Sequence, residues 1–209
     1  MNPEYLNTLN PMQRQAVELG SVNSLILAGA GSGKTKVLTT RIAWLLTQQL
    51  AWPSQILAVT FTNKAAREMR TRLESMVNFD IKSMWIGTFH GICHRILRLH
   101  AQEANLPPTF QIIDSSDQLS LIRRIMKDAG IDIELYNPKS FQASINRFKE
   151  AGLRASDVMS EENEMNYGLY RAYEGRCQRE GLVDFAELLL RCVELLEHNA
   201  LLREHYAER

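Results

Sequence analysis

The stretch "SLILAGAGSGKTKVLTTRI", Ser24–Ile42, constrains the fold more than any other part of the chain. The apolar run Ser24–Ala28 suits a short buried strand. From Lys34 to about Gln49 apolar residues recur at helical spacing, with Leu38, Ile42, Leu45 and Leu46 on one face. Between them the turn reads A-G-A-G-S-G-K-T from Ala28, the P-loop pattern with Ala28 in place of its usual first glycine. Across Gly29, Ala30, Gly31, Ser32 and Gly33 the glycines let successive N–H groups turn inward around phosphate oxygens. The helix that follows aims the positive end of its dipole at the same place. Lys34 can reach the β- and γ-phosphates as a point charge, and Thr35 can offer its hydroxyl to Mg²⁺.

Two further strand-and-helix pairs follow. Gln55–Phe61 reads as a buried strand and "NKAAREMRTRLESM" as a helix, with Ala65, Ala66, Met69, Leu73 and Met76 on one side. Met84–Phe89 reads as a third strand. Such alternation predicts an α/β fold: a parallel sheet with helices on its faces. After His90 the pattern turns all-helical, with candidate helices over about 90–104, 116–129, 138–150, 163–179 and 184–198. Ser115 with Gln118, and Asn137 with Pro138, mark two of the starts. The boundary therefore falls near residue 90, giving domains 1–89 and 90–209. The 209 residues suffice for that division.

No apolar run approaches a membrane span, and the N-terminus lacks the layout of a secretion signal. Three cysteines at unremarkable spacing favour free thiols in a reducing cytoplasm. Net charge is zero, but residues 1–89 hold nine Lys/Arg against five Asp/Glu, and residues 90–209 fifteen against nineteen. The first part could favour a polyanion, although chance asymmetry gives the same figures.

A P-loop alone does not identify an enzyme. Gln13 stands third in a helix opened by Asn10 and Pro11, so it can cap, or its amide can read an adenine edge. Thr60, Phe61, Thr62, Asn63 and Lys64 fall at the C-terminal end of the second strand, where parallel sheets bind ligands. There Phe61 could stack on a base or pack in the core; Arg67 and Arg70 follow on a polar helix face. Thr88, Phe89 and His90 repeat the arrangement at the third strand, with Arg95 and Arg98 behind. His90, Cys93 and His94 have helical spacing but lack a fourth metal ligand.

LNPMQ, AGAGSGKT, AVTFTNKAAREM and GTFHGICHRILR, in this order, resemble the UvrD/Rep/PcrA group of superfamily 1 DNA helicases. "REGLVDFAELLLR" resembles a segment of their helical insertion, so the likeness covers nearly the whole chain. The resemblance implies a partial RecA-like domain 1A over 1–89 and an inserted helical domain 1B over 90–209. It implies ATP with Mg²⁺ at the loop from Ala28 to Lys36, and an adenine contact for Gln13. Lys36 replaces an arginine that often packs on the base, and lacks its flat plane. Thr60–Lys64 and Thr88–His90 would lie along single-stranded DNA. The implied activity is ATP-driven 3′-to-5′ movement on one strand and at single-strand/duplex junctions, in DNA repair, with accessory repair proteins unspecified.

Hydrolysis also needs an apolar strand ending in an acid that helps hold Mg²⁺. "FQIID" (Phe110–Asp114) is the best mimic, but reads better as a helix start; "GLVDF" places Asp184 inside a helical segment. The resemblance puts the missing Asp-Glu strand and the second RecA-like domain beyond His205–Arg209. The expectation is an N-terminal piece that hydrolyses ATP poorly without the C-terminal domains of the same polypeptide. It is also expected to have an incomplete sheet. A self-contained P-loop module that binds nucleotide or DNA without turnover, and a small-molecule kinase, are the alternatives.

Overall fold

The computed structural model describes residues 4–20, 22–78, 80–158 and 164–208. The chain divides into two compact units, one running to Ile92 and taking in Glu208, the other Cys93–Ala207. None of the described helices is long and apolar enough to cross a membrane.

In the first unit α1 (Pro11–Val17) begins where the sequence predicts. Asn10 accepts from the Gln13 amide at 2.9 Å, and the Gln13 side chain accepts from the Asn10 amide at 3.1 Å. The helix α2 (Lys34–Thr47) buries Val37, Ile42, Ala43 and Leu46, whereas Leu38 stays 41% exposed. The inward face is therefore turned by about one residue from the expected one. The strand β1 (Leu57–Thr60) is followed by α3 (Asn63–Met76), opened by Thr62, whose hydroxyl accepts from the Ala65 amide. Next comes β2 (Trp85–Thr88), parallel to β1 with Thr60 opposite Thr88. Parallel neighbours need a crossover, and α3 supplies it. Ala66, Met69 and Leu73 of α3 join Ile42 and Leu46 of α2 against Ala58 and Ile86 of the sheet. The helix α4 (Phe89–Leu99) starts directly after β2.

The expected strand at Ser24–Ala28 is not formed. Its backbone has no ladder partner among the described residues, and Leu25 and Leu27 are 85% and 86% exposed. An apolar run becomes a strand only by pairing, and the two-stranded β1–β2 sheet does not reach it.

The second unit is not all-helical. The short parallel pair β3 (Gln111–Ile112) and β4 (Leu182–Val183) ties its halves together. Around it stand α5 (Ser115–Asp128), α6 (Pro138–Glu150), α7 (Glu164–Glu180), α8 (Phe185–His198) and α9 (Ala200–Ala207). The expected start of α7 at residue 163 lies outside the described residues. Asp114, not Ser115, caps α5, accepting from the amides of Ser116 and Asp117. Asp184 is not inside a helix. It caps α8 through the Glu187 amide at 2.8 Å and is 3% exposed.

Asp184 also sits in a buried ionic network. Its Oδ2 accepts from Lys149 Nζ and the Tyr173 hydroxyl, both at 2.7 Å. Lys149 Nζ lies 2.9 Å from Glu187 as well, and Arg154 and Arg191 close on the same Glu187. Burial pulls the Lys149 ammonium down, but the carboxylates of Glu187 and Asp184 outweigh it and raise it above its usual range. Burial pushes Glu187 up; Lys149, Arg154 and Arg191 together hold it well below the usual carboxylate range. Removing one partner strands a buried charge, which costs about 3–5 kcal/mol. Lys149→Ala should lower stability by that order, read as the urea midpoint of helical circular dichroism. Because the folded Glu187 pKa is depressed, its contribution is complete above about pH 4–5 and falls as pH drops further. The urea midpoint should be flat near neutrality and decline below about pH 4, and less steeply in Glu187→Gln.

Candidate nucleotide and nucleic-acid site

The loop between residues 28 and 34 turns on two glycines with left-handed backbone, Gly31 (φ 74°) and Gly33 (φ 86°). The left-handed backbone at Gly33 favours glycine, and a Cβ there would stand 3.0 Å from Gln13 Nε2, so the Gln13 side chain would have to give way. Ser32 folds back, its hydroxyl donating to Gly29 O at 2.7 Å. Gln13 Nε2 donates to Ser32 O at 3.0 Å, which seats α1 on the loop.

Side chains cap α1, α3, α5, α6 and α8, but none caps α2, whose cap residue is Gly33. The amides of Gly31, Gly33, Lys34 and Thr35 meet no protein acceptor among the described residues. Such amides at a helix start suit an anion. Lys34 Nζ donates to Ala28 O at 2.9 Å and Gly29 O at 2.6 Å, so its charge stands at the loop with a third hydrogen to give. Thr35 is exposed in the first turn of α2. A cavity of about 460 Å³ adjoins the loop, lined by Gln13, Ala28, Ser32 and Lys34 with apolar Met12 and Leu25–Leu27. No carboxylate lines it among the described residues. The uncommitted amides and Lys34, rather than the largely apolar cavity, fit a triphosphate, with Thr35 available to a phosphate-bound Mg²⁺.

Gln13 takes the capping role that one of its sequence readings gives it. Its Oε1 and one Nε2 hydrogen serve Asn10 and Ser32, leaving one lone pair and one hydrogen. Lys36 is tied elsewhere: its Nζ donates to Thr8 O at 2.6 Å. Sequence reasoning missed Arg41, which donates to the carbonyls of Val17, Leu19 and Gly20 just past α1. A single arginine on an amphipathic helix carries no signal of that task.

At the C-terminal ends of β1 and β2, the register Thr60↔Thr88 makes Phe61 and Phe89 the next residues on neighbouring strands. Phe61 is 97% exposed and Phe89 65%, so neither is a core residue. The threonines shape the tips: Thr60 donates to Thr62 O at 3.0 Å, and Thr88 accepts from the Gly91 amide at 3.1 Å. Asn63 and Lys64 open α3 exposed, and His90 is exposed in the first turn of α4. Arg67 is exposed, whereas Arg70 donates to Ile86 O at 2.7 Å and braces α3 on the sheet. His94 is taken up by Arg98, which donates to its Nε2 at 3.0 Å and lies over the Phe110 ring. The acid of "FQIID", Asp114, caps α5, and Asp184 is occupied by Lys149.

A glycine loop with an uncapped helix start and a parallel pair with exposed aromatic tips thus stand together in one unit of a mixed α/β protein. Residues 9–209 match the model of the UvrD/REP helicase N-terminal domain. The chain belongs to that family. It is 48% identical over 213 residues to DNA helicase II of Escherichia coli strain K12, covering 100% of this chain and 30% of that protein. DNA helicase II of Haemophilus influenzae is 46% identical, with 99% and 29% covered. The ATP-dependent DNA helicase PcrA of Staphylococcus aureus strain Mu50 is 37% identical, with 98% and 28% covered. The chain thus spans 30% or less of the length of these curated relatives.

Two outcomes check the geometry. Phe61→Ala should change stability by less than about 0.5 kcal/mol, as substitutions on the surface do, and the less exposed Phe89→Ala by little more. Gly33→Ala should cost about 1–2 kcal/mol, the penalty of left-handed backbone. All three tryptophans (Trp44, Trp52 and Trp85) lie in the first unit, so their fluorescence in urea reads both effects.

Proposed function

We propose that these residues form the nucleotide-binding and strand-contacting N-terminal part of an ATP-dependent 3′-to-5′ DNA helicase acting in DNA repair in the cytoplasm. In this reading residues 1–89 belong to a RecA-like domain 1A and residues 90–209 to an inserted domain 1B. What carries the reading is one juxtaposition: amides without protein acceptors around Lys34, and two exposed phenylalanines on adjacent strand tips of the same unit. Family membership and the names of the relatives support it.

The amides of Gly31, Gly33, Lys34 and Thr35, with Lys34 Nζ, hold the phosphates of ATP. Thr35 would help hold Mg²⁺ through its hydroxyl, and the ion when bound would neutralise charge developing at the γ-phosphate. Gln13 offers its remaining donor and acceptor to adenine. Phe61 and Phe89 stack unpaired bases without regard to sequence, since every base has a π-face. Thr60, Thr62, Asn63, Lys64, Thr88 and His90 border the strand, and Lys64 supplies charge for its phosphates. Junctions with duplex are the substrate, and the remaining domains of the polypeptide close on the nucleotide. They also supply strands beside Ser24–Ala28 and the acid that completes the Mg²⁺ site.

The 209 residues should bind Mg-ATP and show negligible DNA-stimulated ATPase, measured as phosphate release. Robust turnover abolished by Lys34→Ala would contradict the account of the missing acid. Single-stranded oligonucleotide affinity, followed by fluorescence anisotropy, should weaken with salt. It should fall by about 1–3 kcal/mol on Phe61→Ala. An unchanged affinity removes Phe61 from the strand path.

A further inference from the structure

The helix α2 carries Lys34 and Thr35 in its first turn, and the same helix holds α1 at both ends. Arg41 Nη1 donates to Val17 O at 2.9 Å and to Leu19 O at 2.7 Å, and Nη2 donates to Gly20 O at 3.1 Å. These carbonyls lie where a helix runs out of its own donors and its dipole is negative. A planar, permanently charged fork satisfies several such acceptors from one fixed plane, which an ammonium does not. At the other end Lys36 Nζ holds Thr8 O at 2.6 Å, two residues before the Asn10 cap. Between the two struts Val37 packs with Leu6 and Val17. At seven residues α1 is too short to persist by itself, so its place is set by α2.

We propose that Arg41 is a positioning residue for recognition of the nucleotide base. It holds α1 so that Gln13 stands against Ser32 and Gly33. The remaining Nε2 hydrogen and Oε1 lone pair of Gln13 then form the donor–acceptor pair that matches the N7/N6 edge of adenine. Three Arg41 donors are committed to backbone carbonyls, so the side chain acts through α1 and not on phosphate. One helix thereby registers both ends of the nucleotide: the phosphates directly, the base through Arg41 and α1. The inference rests on the nucleotide reading above.

The test compares Mg-ATP with magnesium tripolyphosphate, which has phosphates and no base, by calorimetric titration of the 209-residue chain. Arg41→Met should weaken ATP about tenfold, the equivalent of roughly 1.4 kcal/mol, and leave tripolyphosphate within about twofold. Arg41→Lys should fall between and carries the test if Arg41→Met fails to fold. In a Gln13→Ala background the Arg41→Met loss should vanish, an interaction that general loosening of the fold would not produce. Equal losses for both ligands, or unchanged ATP affinity, overturn the inference while leaving the phosphate site standing. A wild-type chain that binds ATP no tighter than tripolyphosphate does the same. A wild-type chain that binds neither overturns the nucleotide reading and the inference together.

Discussion

Gly33 in left-handed backbone, with the space of its missing side chain taken by the Gln13 amide, is the contact on which the first unit turns. It lets α2 begin without a side-chain cap, and so leaves the amides of its first turn to another partner. It also brings α1 onto the loop through Ser32. Had an asparagine or aspartate stood at the start of α2, as at α1, α5, α6 and α8, its oxygen would occupy the place an anion needs. The geometry of the loop is thus a matter of what is withheld: one cap, one Cβ and a set of acceptors.

The sheet supplies the second half of the account. A strand-to-helix turn in a parallel pair puts residues at one edge, the C-terminal one, free of ladder and core. Here Thr60 and Thr88 end their strands in register, so the residues after them emerge side by side. Both are phenylalanines, and both are exposed. Small residues such as Ala58 and Ala66 keep α3 close to the strands, and Arg70 fixes the helix to β2. The tips are consequently held by a packed scaffold while their aromatic faces remain available.

Local signals made much of this legible in the sequence. The Asn10–Pro11–Gln13 start of α1, the bounds of α3 and the glycine loop each depend on residues within one or two turns. What could not be read depends on partners distant in the chain. Ser24–Ala28 looks like a strand because it is apolar, yet strand formation is decided by a neighbour the run does not contain. Arg41 looks like one more polar residue on α2, although it ends another helix more than twenty residues away. Asp184 reads as part of a helical segment, and instead caps α8 and meets Lys149 in the interior of the second unit. The two-residue strands β3 and β4 are too short to show a period, so their unit reads as helical throughout.

The central claim is that main-chain amides at the start of α2 receive a nucleotide's phosphates. Two-dimensional ¹H–¹⁵N spectra of the labelled chain, titrated with Mg-ATP, address those groups one by one. The account predicts saturable shifts concentrated at the amides of Gly31, Gly33, Lys34 and Thr35. Amides that stay unmoved there at saturating Mg-ATP, or shifts that gather elsewhere in the chain, would contradict it.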